Sequence, residues 1–550
     1  MTSVSRFARK LPVLDKVVPP VDDVVRGLTW LACSGIGRFP PSRIVGILDA
    51  LRSVSPGLGI LFSVHAASRP DEIAVVDSRG SITFDELNTR VNRLANSLDA
   101  DGCTGGGRVA FMLPNCREAL EVFGAAAKLG MAPVPINTRF HAEEVAHLLS
   151  TQEAQAIVVD PEYRDRVEGF EGIVIVRGDD YEGRLALADP DDPPRASKSA
   201  KAVIHTSGTT GHPKGAERDM TRGGAISAVS FFARVPVASA DVVVIPAPLF
   251  HALGLGGTLF AFIFGAQIVF QERFDPVEFC ELIEANEATA GVVVPVMLRR
   301  IVDCDRSGVN PGALTALRWM LVSGSALQPS LEQQSRGVFG PVVRNLYGST
   351  EAGWVAIATP EDSELHPGTV GRPVTGVTVE ILADDGTVLP PGEAGEISVR
   401  SKTVFSGYTE DTESDTEGRD ALRYDLGDLG YLTDDGYLFV LDRKDDMVVT
   451  GGENVYPAEV ERVLCADPDV EEASVLGIAD DQYGKILVAF VVAGPSDLTA
   501  EDVDARLRAH IANYKVPKHI WLVDALPYNA TGKVLRRTLA EDARERLAGT

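Results

Sequence analysis

The chain has 550 residues, 45% of them hydrophobic and 24% charged. That ordinary globular composition excludes a disordered, collagen-like or disulfide-scaffold protein and supplies chain for several cores. Its 52 basic and 78 acidic residues give a formal net charge of −26, which excludes bulk nucleic-acid binding but not an anion held in a local cradle.

The charge is uneven. Residues 1–60 carry eight basic residues (Arg6, Arg9, Lys10, Lys16, Arg26, Arg38, Arg43, Arg52) and four acids (Asp15, Asp22, Asp23, Asp49), a basic arm or a chance fluctuation. Within this arm Val17, Val21, Val24, Val25, Leu28 and Leu31 recur at steps of three and four, the apolar face of a helix. Such a helix either lies at a membrane interface or docks on the parent domain. No continuous apolar stretch with a small-residue cleavage site marks a secretory leader. The six cysteines (Cys33, Cys103, Cys116, Cys280, Cys304, Cys465) lie far apart without a C-x-x-C pair. They read as reduced thiols of a cytosolic protein rather than zinc ligands.

From residue 60 the pattern turns to α/β. Short β-rich runs at Ile73–Val76, Val109–Met112, Ile157–Val159 and Ile173–Val176 alternate with helical periodicity at Thr83–Leu98 and Arg117–Leu129, the pattern of parallel sheets covered by helices. Residues 189–201 read as an exposed linker or loop feeding the next strand. Val242 to Gln271 holds no Asp, Glu, Lys or Arg, longer than the about 20 residues that span a bilayer. Its prolines and glycines favour a buried strand, a loop and a buried helix over one span. From about Asp442 a compact unit follows, with Ala473–Ile478, Ile486–Val492, a helix Ala500–Asn513 and Ile520–Val523.

The most informative segment is Val203-Ile-His-Thr-Ser-Gly-Thr-Thr-Gly-His-Pro-Lys-Gly215. Glycines let backbone N–H groups converge on an anion, four hydroxyls add donors, and Lys214 adds charge. This chemistry suits a polyphosphate. It is not a Walker A loop, because Pro213 precedes Lys214 and Gly215 follows it.

Thr206–Gly215 resembles the phosphate loop of the AMP-forming acyl-CoA synthetases, within the adenylate-forming enzymes. The family's other motifs follow in order. Ser323-Gly-Ser-Ala326 resembles the adenine-binding turn, and Asn345-Leu-Tyr-Gly-Ser-Thr-Glu351 the segment after it. The resemblance implies nucleotide contacts for Thr206, Ser207, Gly208, Thr209, Thr210, Gly211, Lys214, Gly324, Ser325, Ala326 and Gly348. Asn345 would lie at the adenine edge, Tyr347 would stack on the base, Thr350 would touch the α-phosphate and Glu351 would hold Mg²⁺. Tyr424-Asp-Leu-Gly-Asp428 resembles the ribose-binding segment, with Asp428 as the ribose ligand and Leu426 where the family usually has Thr. In Asp442-Arg-Lys-Asp-Asp446, Arg443 would reach ribose or phosphates and Asp445 would be the hinge. Gly451-Gly-Glu-Asn-Val-Tyr-Pro457 resembles the strand lining the thiol tunnel, with Gly451 and Gly452 beside coenzyme A. Asn529-Ala-Thr-Gly-Lys533 resembles the loop of the catalytic lysine.

The resemblance covers about residues 60–540. It implies a large domain (61–441) of helix-covered, mainly parallel sheets plus a small β-barrel-like part, a hinge (442–446) and a small, mobile α+β domain (447–550). It implies that a carboxylate attacks the α-phosphorus of ATP to give an acyl-adenylate and pyrophosphate, after which the coenzyme A thiol displaces AMP. His251 would gate the acyl site, with Leu253–Gly257, Val293–Met297 and Ser323–Leu327 as wall. An apolar pocket without an evident buried Lys or Arg points to a fatty or other hydrophobic acid of undefined length. A fatty acyl-AMP ligase loading a carrier protein, an oxygen-dependent luciferase and a membrane-associated non-enzymatic protein are the alternatives. The oligomeric state stays open, a homodimer included. The basic arm, outside the resemblance, would meet anionic lipid on a cytoplasmic membrane face.

Overall fold

The computed structural model describes residues 34, 41–43, 45, 47, 57–103, 105–196, 202–206, 214–218, 230–349, 352–401, 423–444, 448–450, 453–480, 484–495, 497–529 and 532–548. The apolar face proposed over Val17–Leu31 lies outside them.

Apolar runs without alternation build the central sheet. Ala290–Val293 and Trp319–Val322 are buried along their whole length, as strands covered on both faces must be. Among the described residues this sheet has nine strands, in the order Arg372–Pro373, Gly353–Ala358, Val343–Ser349, Trp319–Val322, Ala290–Val293, Val242–Ile245, Gln267–Phe270, Ile73–Asp77 and Gly80–Thr83. Its middle is parallel and both margins are antiparallel. A second, parallel sheet orders Ala132–Pro135, Arg108–Met112, Ala154–Val159 and Ile173–Val176. Pro133 and Pro135 fall on its edge strand, where a missing N–H is tolerated. Val377–Leu382, Gly395–Ser401, Arg423–Leu432 and Leu438–Arg443 form an antiparallel meander.

The uncharged run resolves into the strand Val242–Ile245, a helix Ala252–Phe264 ended by Gly265 in the left-handed region, and the strand Gln267–Phe270. No described helix is long and apolar enough to cross a membrane.

Helix Arg117–Leu129 matches its expected bounds, yet every residue in it is buried, Arg117, Glu118, Glu121 and Lys128 included. Buried charges persist only when paired, and each has its partner. Arg117 Nε and Nη2 bond both carboxylate oxygens of Asp77 at 2.5–3.1 Å. Glu121 meets Arg90 at 2.6 Å and accepts from the Tyr181 hydroxyl at 2.6 Å. Glu118 meets Arg79 and Arg177. Lys128 Nζ donates to Ser63, Asn88, Asn92 and Asp192 at 2.5–2.8 Å, and burial pulls its pKa down to about 8 against the attraction of Asp192. These bonds also reach the segment 189–201, read as an exposed linker or loop, of which residues 189–196 are described as loop. Its first residues are exposed but tied down: Asn92 donates to Pro190 O at 2.8 Å, and Asn96 to the carbonyls of Asp189 and Asp191 at 2.9 Å.

The C-terminal part is α+β. Val470–Asp480 pairs antiparallel with Gly484–Ala493, which pairs parallel with His519–Leu522. Helices Pro457–Cys465, Ala500–His510 and Arg536–Ala548 accompany the sheet, with separate apolar clusters on its two faces. The helix expected to reach Asn513 stops at His510, and a 3₁₀ turn takes Asn513–Lys515. The five described cysteines are free.

Candidate active site

The central sheet carries a topological switch. After Val242–Ile245 the chain crosses to Gln267–Phe270 on one side, then returns to Ala290–Val293 on the other. In such sheets ligands bind outside the carboxyl ends of the strands at the switch. The segments leaving those ends include His251, Val294–Val296, Ser323–Ala326 and the end of Val343–Ser349. Ser323 Oγ donates to Leu346 O at 2.7 Å and ties two of them together. Gly324 has φ +101°, a conformation that favours glycine, and Gly324 and Ala326 are exposed beside half-buried Ser325. Asn345 is buried and in register with Val322, and Gly348 is exposed one residue beyond Tyr347.

The meander contributes a carboxylate. Asp428 is in register with Arg443 on the neighbouring strand, and their side chains approach to 3.3 Å. Tyr347 Oη donates to the other Asp428 oxygen at 2.6 Å. Burial, then the adjacent Asp428 charge, pushes the Tyr347 phenol far up, so the proton stays on the tyrosine. Burial also raises Asp428 above the usual carboxylate range, against Tyr347, Arg443 and Lys533, which all favour its charge. Leu426, the departure from the family pattern, packs into the core. Arg443 still belongs to the strand Leu438–Arg443.

Lys533 arrives on a tight loop from the C-terminal part. Asn529 N–H donates to Lys533 O and Lys533 N–H to Asn529 Oδ1, both at 2.9 Å. Gly532 takes φ +75° and packs so closely on the large part that a Cβ there would lie 2.4 Å from Val296 Cγ1 and 2.9 Å from Val294 Cγ2. The exposed Lys533 thereby acts electrostatically on both Asp428 and His251. His251 precedes helix Ala252–Phe264, with its ring edge-on to Phe250 at 4.5 Å. Burial, then the Lys533 and Arg139 charges, lowers its pKa to about 4. The imidazole is therefore neutral at pH 7, and its buried Nε2 has no hydrogen-bond partner among the described residues.

His251, Tyr347, Asp428, Arg443 and Lys533 are thus brought together from five segments. Thr206 and Lys214 are paired across the hairpin of Ala202–Thr206 and Lys214–Arg218. Ser207, Gly208, Thr209, Thr210, Gly211, Thr350, Glu351, Asp445, Gly451 and Gly452 lie outside the described residues. Among the described residues no group of three His, Cys, Asp or Glu could hold a metal; the only expected metal ligand, Glu351, is not one of them. Sequence reasoning marked Val293–Met297 as acyl-site wall but not as the seat of Gly532, and it did not mark Arg139 or the Tyr347–Asp428 bond. The last joins residues 81 apart, and no local pattern announces it.

The arrangement has known counterparts. The AMP-binding enzyme family matches residues 62–409, and its C-terminal domain matches residues 459–533. A 2-succinylbenzoate–CoA ligase of Bacillus licheniformis is 33% identical over 477 residues, covering 86% of this chain and 98% of its own. The long-chain-fatty-acid–CoA ligase FadD13 of Mycobacterium tuberculosis is 31% identical over 473 residues, covering 84% and 93%. The crystal structure of ATP-bound MatB from Rhodopseudomonas palustris superposes with a TM-score of 0.79 at 28% identity, covering 88% of this chain and 98% of that one. With both regions of the family matched in order along one chain, the protein belongs to the AMP-binding enzymes, as an AMP-forming acyl-CoA synthetase of the adenylate-forming superfamily.

Proposed function

We propose that the chain converts a hydrophobic carboxylic acid into its acyl-CoA in two half-reactions at one site, with the residue roles that its motifs imply. The observation that carries the reading is the convergence of Lys533, Asp428 and His251, on three separate segments, outside the carboxyl ends of the parallel strands. Asp428 accepts from ribose hydroxyls and Tyr347 gives its ring face to the base. The loop Thr206–Lys214, Arg443 and Lys533 offset the charge that grows on the phosphoryl oxygens as the carboxylate attacks. The acid needs no base, being ionised at pH 7. A neutral His251 beside the acyl carboxylate adds no charge of its own and takes no proton at pH 7. Glu351 would hold a Mg²⁺ ion, whose charge would shield the phosphates.

In the second half-reaction the small domain (447–550) turns on the hinge 442–446 about Asp445, withdrawing Lys533 and carrying Gly451–Gly452 to the thiol path. The thiolate attacks the acyl carbon and AMP leaves with the anhydride electrons. Coenzyme A is the acceptor in this reading, and AMP release measured with and without it separates a ligase that loads a carrier protein. Residues 1–60 would give a cytosolic enzyme its contact with anionic lipid.

A panel of carboxylic acids tests the chemistry, and Lys533→Ala tests the assignment. The variant should lose pyrophosphate formation while largely keeping thioester formation from supplied acyl-AMP. Equal loss of both removes Lys533 from its role.

A further inference from the structure

We propose that the acyl site is a short groove ending at Trp354, and that the indole N–H receives an oxygen on the far end of the acid, so that the substrate is an aryl acid or similar compact acid with a remote acceptor rather than a long alkyl chain. This rests on the reading above, which sets the carboxylate at the His251 end.

One face of helix Ala252–Phe264 draws the groove. Ala252, Gly256 and Phe260 recur every four residues on that face. Ala252 is exposed and Gly256 half-buried, and a Cβ built on Gly256 meets no described atom within 4 Å. Four residues on, the face is shut. Phe260 stacks on Phe231 at 4.5 Å and meets Trp354 at 5.2 Å, while Trp354 meets Phe231 at 5.3 Å. From Ala252 to Phe260 the helix rises about 12 Å, room for a ring and a short arm but not for hexadecanoate.

Trp354 also belongs to the nucleotide side, since it is in register with Gly348 on the neighbouring strand. It therefore joins the reaction end to the aromatic plug. Its Nε1 is sealed from solvent without an acceptor among the described residues. The rest of the plug is phenylalanine, which has no acceptor to offer, and a buried donor left unpaired is destabilising. The indole N–H only donates, so the missing partner is an acceptor: a carbonyl, ether or hydroxyl oxygen at the tail of the acid.

The test compares 4-acetylcinnamate, its near-isosteric 4-isopropyl analogue and hexadecanoate by AMP release, with the full chain and saturating ATP and coenzyme A. The wild type should favour the acetyl over the isopropyl compound by about 5–10-fold in kcat/KM, the worth of one hydrogen bond, and turn over hexadecanoate least. Trp354→Phe keeps the ring and loses the N–H. It should bring the acetyl-to-isopropyl ratio to about one. Trp354→Ala should raise turnover of hexadecanoate. A wild type that prefers hexadecanoate, or a ratio unchanged in Trp354→Phe, overturns the inference and leaves the proposed function standing. Failure to adenylate any carboxylic acid overturns both.

Discussion

Gly532 offers a way to separate the two half-reactions without touching a charged group. Its φ of +75° and the contacts a Cβ would make, 2.4 Å to Val296 Cγ1 and 2.9 Å to Val294 Cγ2, act in different states. The left-handed conformation belongs to the loop itself, so in Gly532→Ala its strain of about 1–2 kcal/mol is felt wherever the small domain sits. The clash exists only while the loop is seated on Val294–Val296. Overpacking of this kind amounts to about 1–3 kcal/mol, or about 5- to 150-fold in the seated population. Gly532→Ala should therefore slow acid-dependent pyrophosphate release by a factor in that range and leave thioester formation from supplied acyl-AMP nearly unchanged. The double variant Val296→Ala/Gly532→Ala removes the closer contact and should recover most of the loss. Stopped-flow measurement of each half-reaction reads both. Equal slowing of the two steps, or a double variant no better than Gly532→Ala alone, would refute the seating of this loop as the adenylating arrangement.

Two further outcomes follow from the buried groups. Arg117→Ala leaves Asp77, whose side chain is wholly buried, without its cation. The loss should be about 3–5 kcal/mol and about 10 °C in Tm by calorimetry, and a shift under about 2 °C would mean that water or another cation replaces the guanidinium. His65 and His251 are both held down to a pKa of about 4, chiefly by burial, from the ordinary 6.5. The unfolded chain then binds more protons between those values, so each contribution is fully present above pH 6.5 and is lost as pH falls towards 4, up to about 3 kcal/mol apiece. NMR titration should find both rings neutral at pH 6, and Lys533→Ala should move His251, not His65, upward; a ring that titrates near 6.5 contradicts the burial argument.

Periodicity found elements well and missed what they bury. Helix Arg117–Leu129 was legible to the residue because its ends are marked, by a following Gly130 in the left-handed region and by its apolar steps. That its charged side chains point inward was not legible. Arg79, Arg90 and Arg177 neutralise Glu118 and Glu121 from 31 to 59 positions away, and a one-dimensional pattern reads Glu at such positions as solvent-facing. The ties of loop 189–196 to Asn92, Asn96 and Lys128 were not legible for the same reason. The site divided likewise. Motifs named Tyr347, Asp428, Arg443 and Lys533 because each sits in a distinctive local string, whereas the contact of Gly532 with Val294 and Val296 depends on how two parts of the chain meet. Trp354 follows a motif by three residues, but its unpaired N–H exists only once Phe231 and Phe260 close around it.

The net charge of −26 and a substrate pair of polyanions are reconciled by where cations are spent. In the large part, Arg79, Arg90, Arg117, Arg177 and Lys128 are consumed by carboxylates and amides at the helix Arg117–Leu129; deep in the protein their charge is cancelled and contributes rigidity. Around Asp428 the balance is opposite. Asp428, biased by burial towards taking a proton, faces Arg443 and the charge of Lys533 and accepts from Tyr347, so among the described residues the surplus around it is positive while the molecule is acidic. Arg139 extends that surplus to the His251 side. Because Lys533 reaches the site on a loop from the C-terminal part, the surplus depends on how that part sits. It is present with Gly532 resting on Val296; in the proposed cycle that arrangement would meet the charge growing on the phosphoryl oxygens, and departure of the loop would lower it. A rigid, neutralised frame and a site whose charge changes with one loop are complementary, since a frame that itself relaxed would blunt the difference between the two arrangements.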